Sequence, residues 1–213
     1  ILDLDDGFGG KLVARLQRFM VRTRCDVEAL DWQMLTVVGT DPEAPAGGLA
    51  IPFDWPRLVA VDLLGPSVDP PSGLAVSEES EWEHRRIMAG IPAMGAELDE
   101  KTIPAATGVV DRSVSFTKGC YTGQELVARI DSRSAATPTR LVRVEGRLEG
   151  EAQLPPVGSN LELDDAQVGR LTSVAAADSG FVALAYVKRA VTLPCEALVR
   201  WAEGRDGVAL LAD

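Results

Sequence analysis

The spacing of hydrophobic positions changes character once along this chain, near residue 138. Ahead of that point helical and strand-like patterns alternate. Leu12, Leu16, Phe19 and Met20 interleave with Lys11, Arg15, Gln17 and Arg18, which predicts an amphipathic helix just after Gly9 and Gly10. Residues 25–29, 32–38 and 57–64 predict strands, with a Pro- and Gly-containing loop between the second and third. Ser77 is expected to cap a helix running through Ala89, with Glu78, Glu79 and Glu81 near its positive end and Gly90 and Pro92 as its stop. Ile1-Leu2-Asp3-Leu4-Asp5 reads as the end of a strand entering a turn, so further sequence is expected to precede it.

After Pro138 the helical spacing disappears. Segments 141–148, 160–163, 168–174, 181–187, 197–201 and 208–211 are short strand candidates, most of them separated by Gly, Pro, Asp or Asn. That spacing predicts a small antiparallel barrel or sandwich. The fold class is therefore α+β, with an α+β domain over 1–134, a linker at 134–138 and an all-β domain over 139–213.

The segment richest in chemistry precedes this boundary. It reads Lys118-Gly119-Cys120-Tyr121-Thr122-Gly123-Gln124-Glu125, with Arg129 one turn further on. Thr122 and Glu125 have capping-box spacing, and Leu126, Val127 and Ile130 give an apolar stripe, so a helix is expected to open at Thr122. Cys120 would then stand before a helix N-terminus and beside an ammonium group, two influences that favour thiolate. Tyr121 could stack on a flat ligand, and Gln124 and Arg129 could meet amide or anionic groups. Three of these residues have a plainer alternative. Cys120 could be a small core residue, Tyr121 a packing residue, and Arg129 an ion-pair partner of Glu125 or Asp131.

Composition narrows the function classes. The chain has 213 residues, 46% of them hydrophobic, and no apolar run near the roughly 20 residues that span a bilayer. Its cysteines, Cys25, Cys120 and Cys195, are three and far apart, which predicts free thiols in a reducing, cytoplasmic setting; Cys25 and Cys195 are read as structural. His84 is the only histidine and lies among Glu83, Arg85 and Arg86, so it is read as a surface residue, and no metal site is expected. A net charge of −11 argues against nucleic-acid and anionic-membrane partners. Residues 109–147 are nevertheless net basic, a local setting suited to a small anion.

The 118–125 octet with Arg129 resembles the signature of the YgfZ/GcvT-like family. Two other stretches are similar to that family: Arg86 through Gly90-Ile91-Pro92 with Gly95 and Thr102-Ile103-Pro104, and the strand Val168-Gly169-Arg170-Leu171-Thr172-Ser173-Val174. The resemblance implies a GcvT-like folate-binding domain, its N-terminal part missing here, followed by a β-barrel. It implies a tetrahydrofolate-binding accessory protein that supports iron–sulfur protein assembly or repair. Cys120 would be the chemically active residue, Lys118, Tyr121, Gln124 and Arg129 the cofactor contacts, and iron–sulfur proteins the clients. The alternative within the family is a tetrahydrofolate-dependent aminomethyltransferase of the glycine-cleavage T-protein type; a third reading is a module that holds folate only as a structural ligand. This sequence departs from the transferase pattern at Met88, which stands where a pterin-anchoring glutamate is expected and cannot accept hydrogen bonds from ring N–H groups. Glu83 is a candidate substitute. Ala105-Ala106 replaces an acidic residue often found after the proline matching Pro104.

Overall fold

The computed structural model describes residues 1–22, 24–121, 123–132, 137–148, 153–201 and 204–211. Thr122 and most of the predicted linker, residues 134–136, lie outside the described residues. Packing divides the chain into two units, Ile1–Ser77 and Glu78–Asp213. This division falls earlier than the change from helices to strands, because a helix that precedes the motif packs on the barrel that follows it.

The first unit holds helix α1 (Gly9–Phe19) and strands β1 (Gln33–Val38), β2 (Leu49–Trp55) and β3 (Leu58–Gly65). β3 is central and antiparallel to both neighbours. Period-two alternation puts Leu35 and Val37 opposite Leu63 and Val61, and these residues pack with Ala50 and Val68 on one face. The predicted α1 forms, although none of its residues is fully buried. The strand expected at 25–29 does not form: Asp26 and Glu28 flank Val27, which leaves too little apolar surface to hold a strand. Residues 1–4 are not strand either. β2 had no counterpart among the predicted strands because Pro52 lies inside it. As an edge strand paired only to β3, it tolerates the missing donor.

In the second unit, helix α2 (Glu79–Ala89) starts later than predicted; its N-cap is Glu78 rather than Ser77, without a side-chain cap bond. Its end is as expected. Gly90 adopts φ 76°, its N–H bonds the Ile87 carbonyl at 3.0 Å, and the Ile91 N–H bonds the Arg86 carbonyl at 3.0 Å, which together form a Schellman closure. A 3-10 helix (Pro104–Ala106), α3 (Val110–Ser113) and α4 (Gln124–Ser132) follow. The first two are not among the predicted elements.

Six antiparallel strands then close a barrel: β4 (Thr139–Arg147), β5 (Asn160–Leu163), β6 (Ala166–Ala177), β7 (Gly180–Lys188), β8 (Cys195–Trp201) and β9 (Gly204–Leu211). Their order is β4-β7-β6-β5-β8-β9, and β9 pairs back onto β4, so no strand keeps a free edge. The barrel alternative of the sequence reading is the one observed. Asp164 and Asp165 take φ of 51° and 61° in the two-residue turn between Leu163 and Ala166, which suits the twist of a tight hairpin.

β7 reads as an unbroken apolar run because both its faces are covered. Phe181, Ala183, Ala185 and Val187 point into the barrel, while Val182 and Leu184 pack outward with Leu141 against Ile87 of α2. In β6, a bulge between Leu171 and Ser173 shifts the alternation by one residue. Leu171 stays in the barrel core and Ser173 turns outward, opposite Leu184, toward α2.

Gly146 sits where the Phe181 ring crosses β4; a Cβ there would stand 2.2 Å from the ring. Gly146→Ala is expected to destabilise the barrel by about 1–3 kcal/mol. A urea midpoint equal to that of the parent chain would contradict this packing.

Candidate functional site

α3 ends at Ser113, and an irregular stretch carries the chain through Lys118, Gly119 and Cys120 to α4. Cys120 is exposed, so the small-core-residue alternative is set aside. The Gln124 N–H bonds the Tyr121 carbonyl at 3.2 Å and the Leu126 N–H bonds the Gly123 carbonyl at 3.1 Å, which opens the helix just past the thiol. Gly123, at φ 87°, makes the turn that other side chains resist. Lys118 is exposed and its Nζ lies 5.2 Å from the centroid of the half-buried Tyr121 ring, a cation–π contact. One ring face expected to meet a ligand is thus occupied by an ammonium group. Gln124 is half-buried; the Arg129 side chain lies outside the described residues.

Part of the basic island is committed elsewhere. Arg140 donates to the Val191 carbonyl, and Arg143 Nη1 reaches the Met88 carbonyl at 3.4 Å, at the negative end of α2. The other cysteines differ in setting: Cys195 packs against the barrel core, whereas Cys25 is exposed outside any strand. His84 is partly exposed, and its Nδ1 donates to the Ala176 carbonyl at 2.8 Å, tying α2 to β6. Among the described residues, no group of three His, Cys, Asp or Glu side chains is arranged to hold a metal ion.

The most constrained chemistry lies upstream of the motif. Arg86 is 5% exposed and Glu97 1% exposed. Arg86 Nη1 donates to Glu97 Oε2 at 3.1 Å and to the Ile91 carbonyl at 2.6 Å, and Nη2 donates to Ser173 Oγ at 2.7 Å. Ser173 Oγ in turn donates a hydrogen bond to Glu97 Oε1 at 2.6 Å, and the Ala93 N–H donates to Glu97 Oε2 at 3.0 Å. Tyr186 on β7 donates to the Glu97 backbone carbonyl at 2.8 Å. Both carboxylate oxygens are therefore satisfied, the condition under which a buried charge persists. Burial opposes the Arg86 charge, but hydrogen bonds and attraction from Glu83 and Glu97 outweigh it and hold the guanidinium above its usual range. Glu97 is not among the residues the sequence singled out, and Ser173 enters there only as part of the strand 168–174. The available signal was an acid between Gly95 and Leu98 eleven residues after an arginine, which becomes informative only once the bulge brings Ser173 across.

The pterin-edge question can be put to the geometry. Met88 packs with the cluster of Leu141, Val182 and Leu184, and the suggested substitute Glu83 has both oxygens engaged by Arg86, through Nε and Nη2. These residues do not fit the ring edge of a pterin. A cleft of about 1020 Å3 adjoins Met88 and His84, but Glu145, Asp164, Asp178 and Glu196 line it, a setting that opposes an anionic guest.

Truncating Glu97 to alanine would leave Arg86 buried without its innermost partner, at a cost of about 3–5 kcal/mol; chemical denaturation checks this, and a loss below 1 kcal/mol would contradict it. Tyr186 supplies a spectroscopic reporter. Burial, then the Glu97 and Asp99 charges, push its phenol up to about 12. A folded phenol held above its unfolded value contributes stability that is complete below the unfolded pKa of about 10 and is lost as pH rises toward 12. A tyrosinate absorbance step near pH 12 is expected in the parent chain and absent in Tyr186→Phe.

Comparison with known proteins agrees with this architecture. No family model matches the chain. An uncharacterized protein of Haemophilus influenzae is 27% identical over 151 residues, covering 70% of this chain and 50% of the relative. The tRNA-modifying protein YgfZ of Escherichia coli is 39% identical over 90 residues, 41% of this chain and 26% of the relative. The chain thus spans at most about half the length of these curated relatives. The crystal structure of the glycine cleavage system aminomethyltransferase T from Bartonella henselae superposes with a TM-score of 0.76 at 14% identity, over 97% of this chain and 65% of that one, which shows a shared fold. The chain is thus similar in sequence to YgfZ over part of its length and shares the fold of the aminomethyltransferase.

Proposed function

We propose that this chain is a tetrahydrofolate-binding accessory protein of the YgfZ type, supporting the assembly or repair of iron–sulfur proteins through Cys120. The observation that carries the reading is an exposed thiol at the mouth of α4, two residues from a lysine that rests on an aromatic ring. Lys118 and Gln124 suit the carboxylates and amide of a folate tail, and Tyr121 suits the flat ring system. The ring edge finds no carboxylate at Met88, so the motif, rather than α2, would hold the ligand. Bound folate would supply a one-carbon carrier; the chain's own contribution is to orient it and to present the thiol. Arg129 joins this set as a partner for a carboxylate.

Met88 and the engaged Glu83 count against the aminomethyltransferase alternative. The Escherichia coli relative carries the name tRNA-modifying protein. Carried to this chain, that name gives it a supporting part in RNA modification through an iron–sulfur enzyme. A net charge of −11 disfavours a direct grip on RNA.

Calorimetric titration of folinic acid into the full-length protein tests the reading. Binding is expected in the parent chain, at least about tenfold weaker in Lys118→Ala, a loss of about 1.4 kcal/mol. Cys120→Ala should keep the ligand yet fail to sustain iron–sulfur enzyme activities in cells. Absence of binding at millimolar folinic acid removes the cofactor from the proposal, and full function of Cys120→Ala removes the thiol.

A further inference from the structure

We infer that Glu97 is the positioning residue of the Cys120 site. Its buried carboxylate and its carbonyl fasten the 91–107 segment to barrel strands β6 and β7, and that segment sets where α4, and with it the thiol, stands. The inference rests on the reading of residues 118–129 as the functional site.

The route is contiguous. Ser173 and Tyr186 reach Glu97 from two neighbouring strands at 2.6 and 2.8 Å. Thr102 turns the chain just beyond: its Oγ1 accepts from the Asp99 N–H at 2.9 Å and bonds Asp99 Oδ1 at 2.7 Å. The segment then enters the 3-10 helix, where Ala106 and Thr107 are buried and Thr107 Oγ1 donates to the Pro104 carbonyl at 2.7 Å. That 3-10 helix packs on both β4 and α4. Among the described contacts of α4 the most extensive is with this 3-10 helix, and none of its residues whose burial is described is fully buried. Its placement therefore depends on an element whose own placement depends on Glu97. The β6 bulge has a purpose in this scheme, because without it Ser173 would face the barrel interior.

Hydrogen exchange on the full chain, with Ser173→Ala and Tyr186→Phe, tests the inference. Loss of one buried hydrogen bond to Glu97 should accelerate exchange about fivefold at 104–107 and 124–132 and leave β8 and β9 unchanged. The second readout is the pH profile of Cys120 alkylation by iodoacetamide, in a background of Cys25→Ser and Cys195→Ala; its rate should change in the same two variants. Unchanged exchange at α4, or equal acceleration throughout the barrel, would reduce the network to a general stabiliser and overturn the inference. Local acceleration without any change in alkylation would cut the link to the thiol and overturn it too. Should Ser173→Ala fail to fold, Tyr186→Phe, which removes only a hydroxyl, carries both measurements. Neither readout involves folate, so failure of folinic acid to bind leaves this test standing.

Discussion

A carboxylate withdrawn from water must be met by donors on every open side, and Glu97 dictates much of the second unit for that reason. Meeting it requires a guanidinium from α2, an amide from the loop at Ala93, a hydroxyl from β6 and, at its backbone, a phenol from β7. The 86–97 segment and the β6–β7 hairpin, distant in sequence, must arrive together. An isolated buried ion pair is weak evidence for stability, because desolvation offsets attraction. Its value here is geometric. An apolar replacement of similar volume could fill the space, but it would not specify which turn of α2 faces which residue of β6.

Closure of the barrel makes that geometry reproducible. With β9 returning to β4, the strand order leaves no edge to slip, and the interior packs around Val144, Leu161, Leu184's inward neighbours Ala183 and Ala185, and Leu210. The bulge after Leu171 breaks the regular alternation on β6, and it serves the polar network rather than the core.

The barrel was legible in the sequence because its strands are short, apolar and punctuated by Gly, Pro and Asp. Only their ends were misjudged, as in β6, which runs to Ala177 where the apolar pattern thins into Ala175, Ala176 and Ala177. The three-stranded sheet was half legible. Val61 and Leu63 announce β3, while Pro52 conceals β2, and the acids around Val27 give a strand-like pattern with nothing to bury. At 118–125 the approach of a helix was legible, because glycines and helix-start residues act locally, and α4 opens at Gln124. Glu97 was not: its significance depends on Ser173, seventy-six residues away and turned by an irregularity that no propensity encodes.

The double coverage of β7 bears on how such a protein can be divided. Its outward residues Val182 and Leu184, with Leu141 beside them, find their cover in Ile87 of α2, a helix that comes well before the first barrel strand. Cutting the chain where helices give way to strands would bare this strip to water and to neighbouring molecules. The piece that can be moved intact between proteins, by recombination or in the laboratory, begins at Glu78 and takes the helix along.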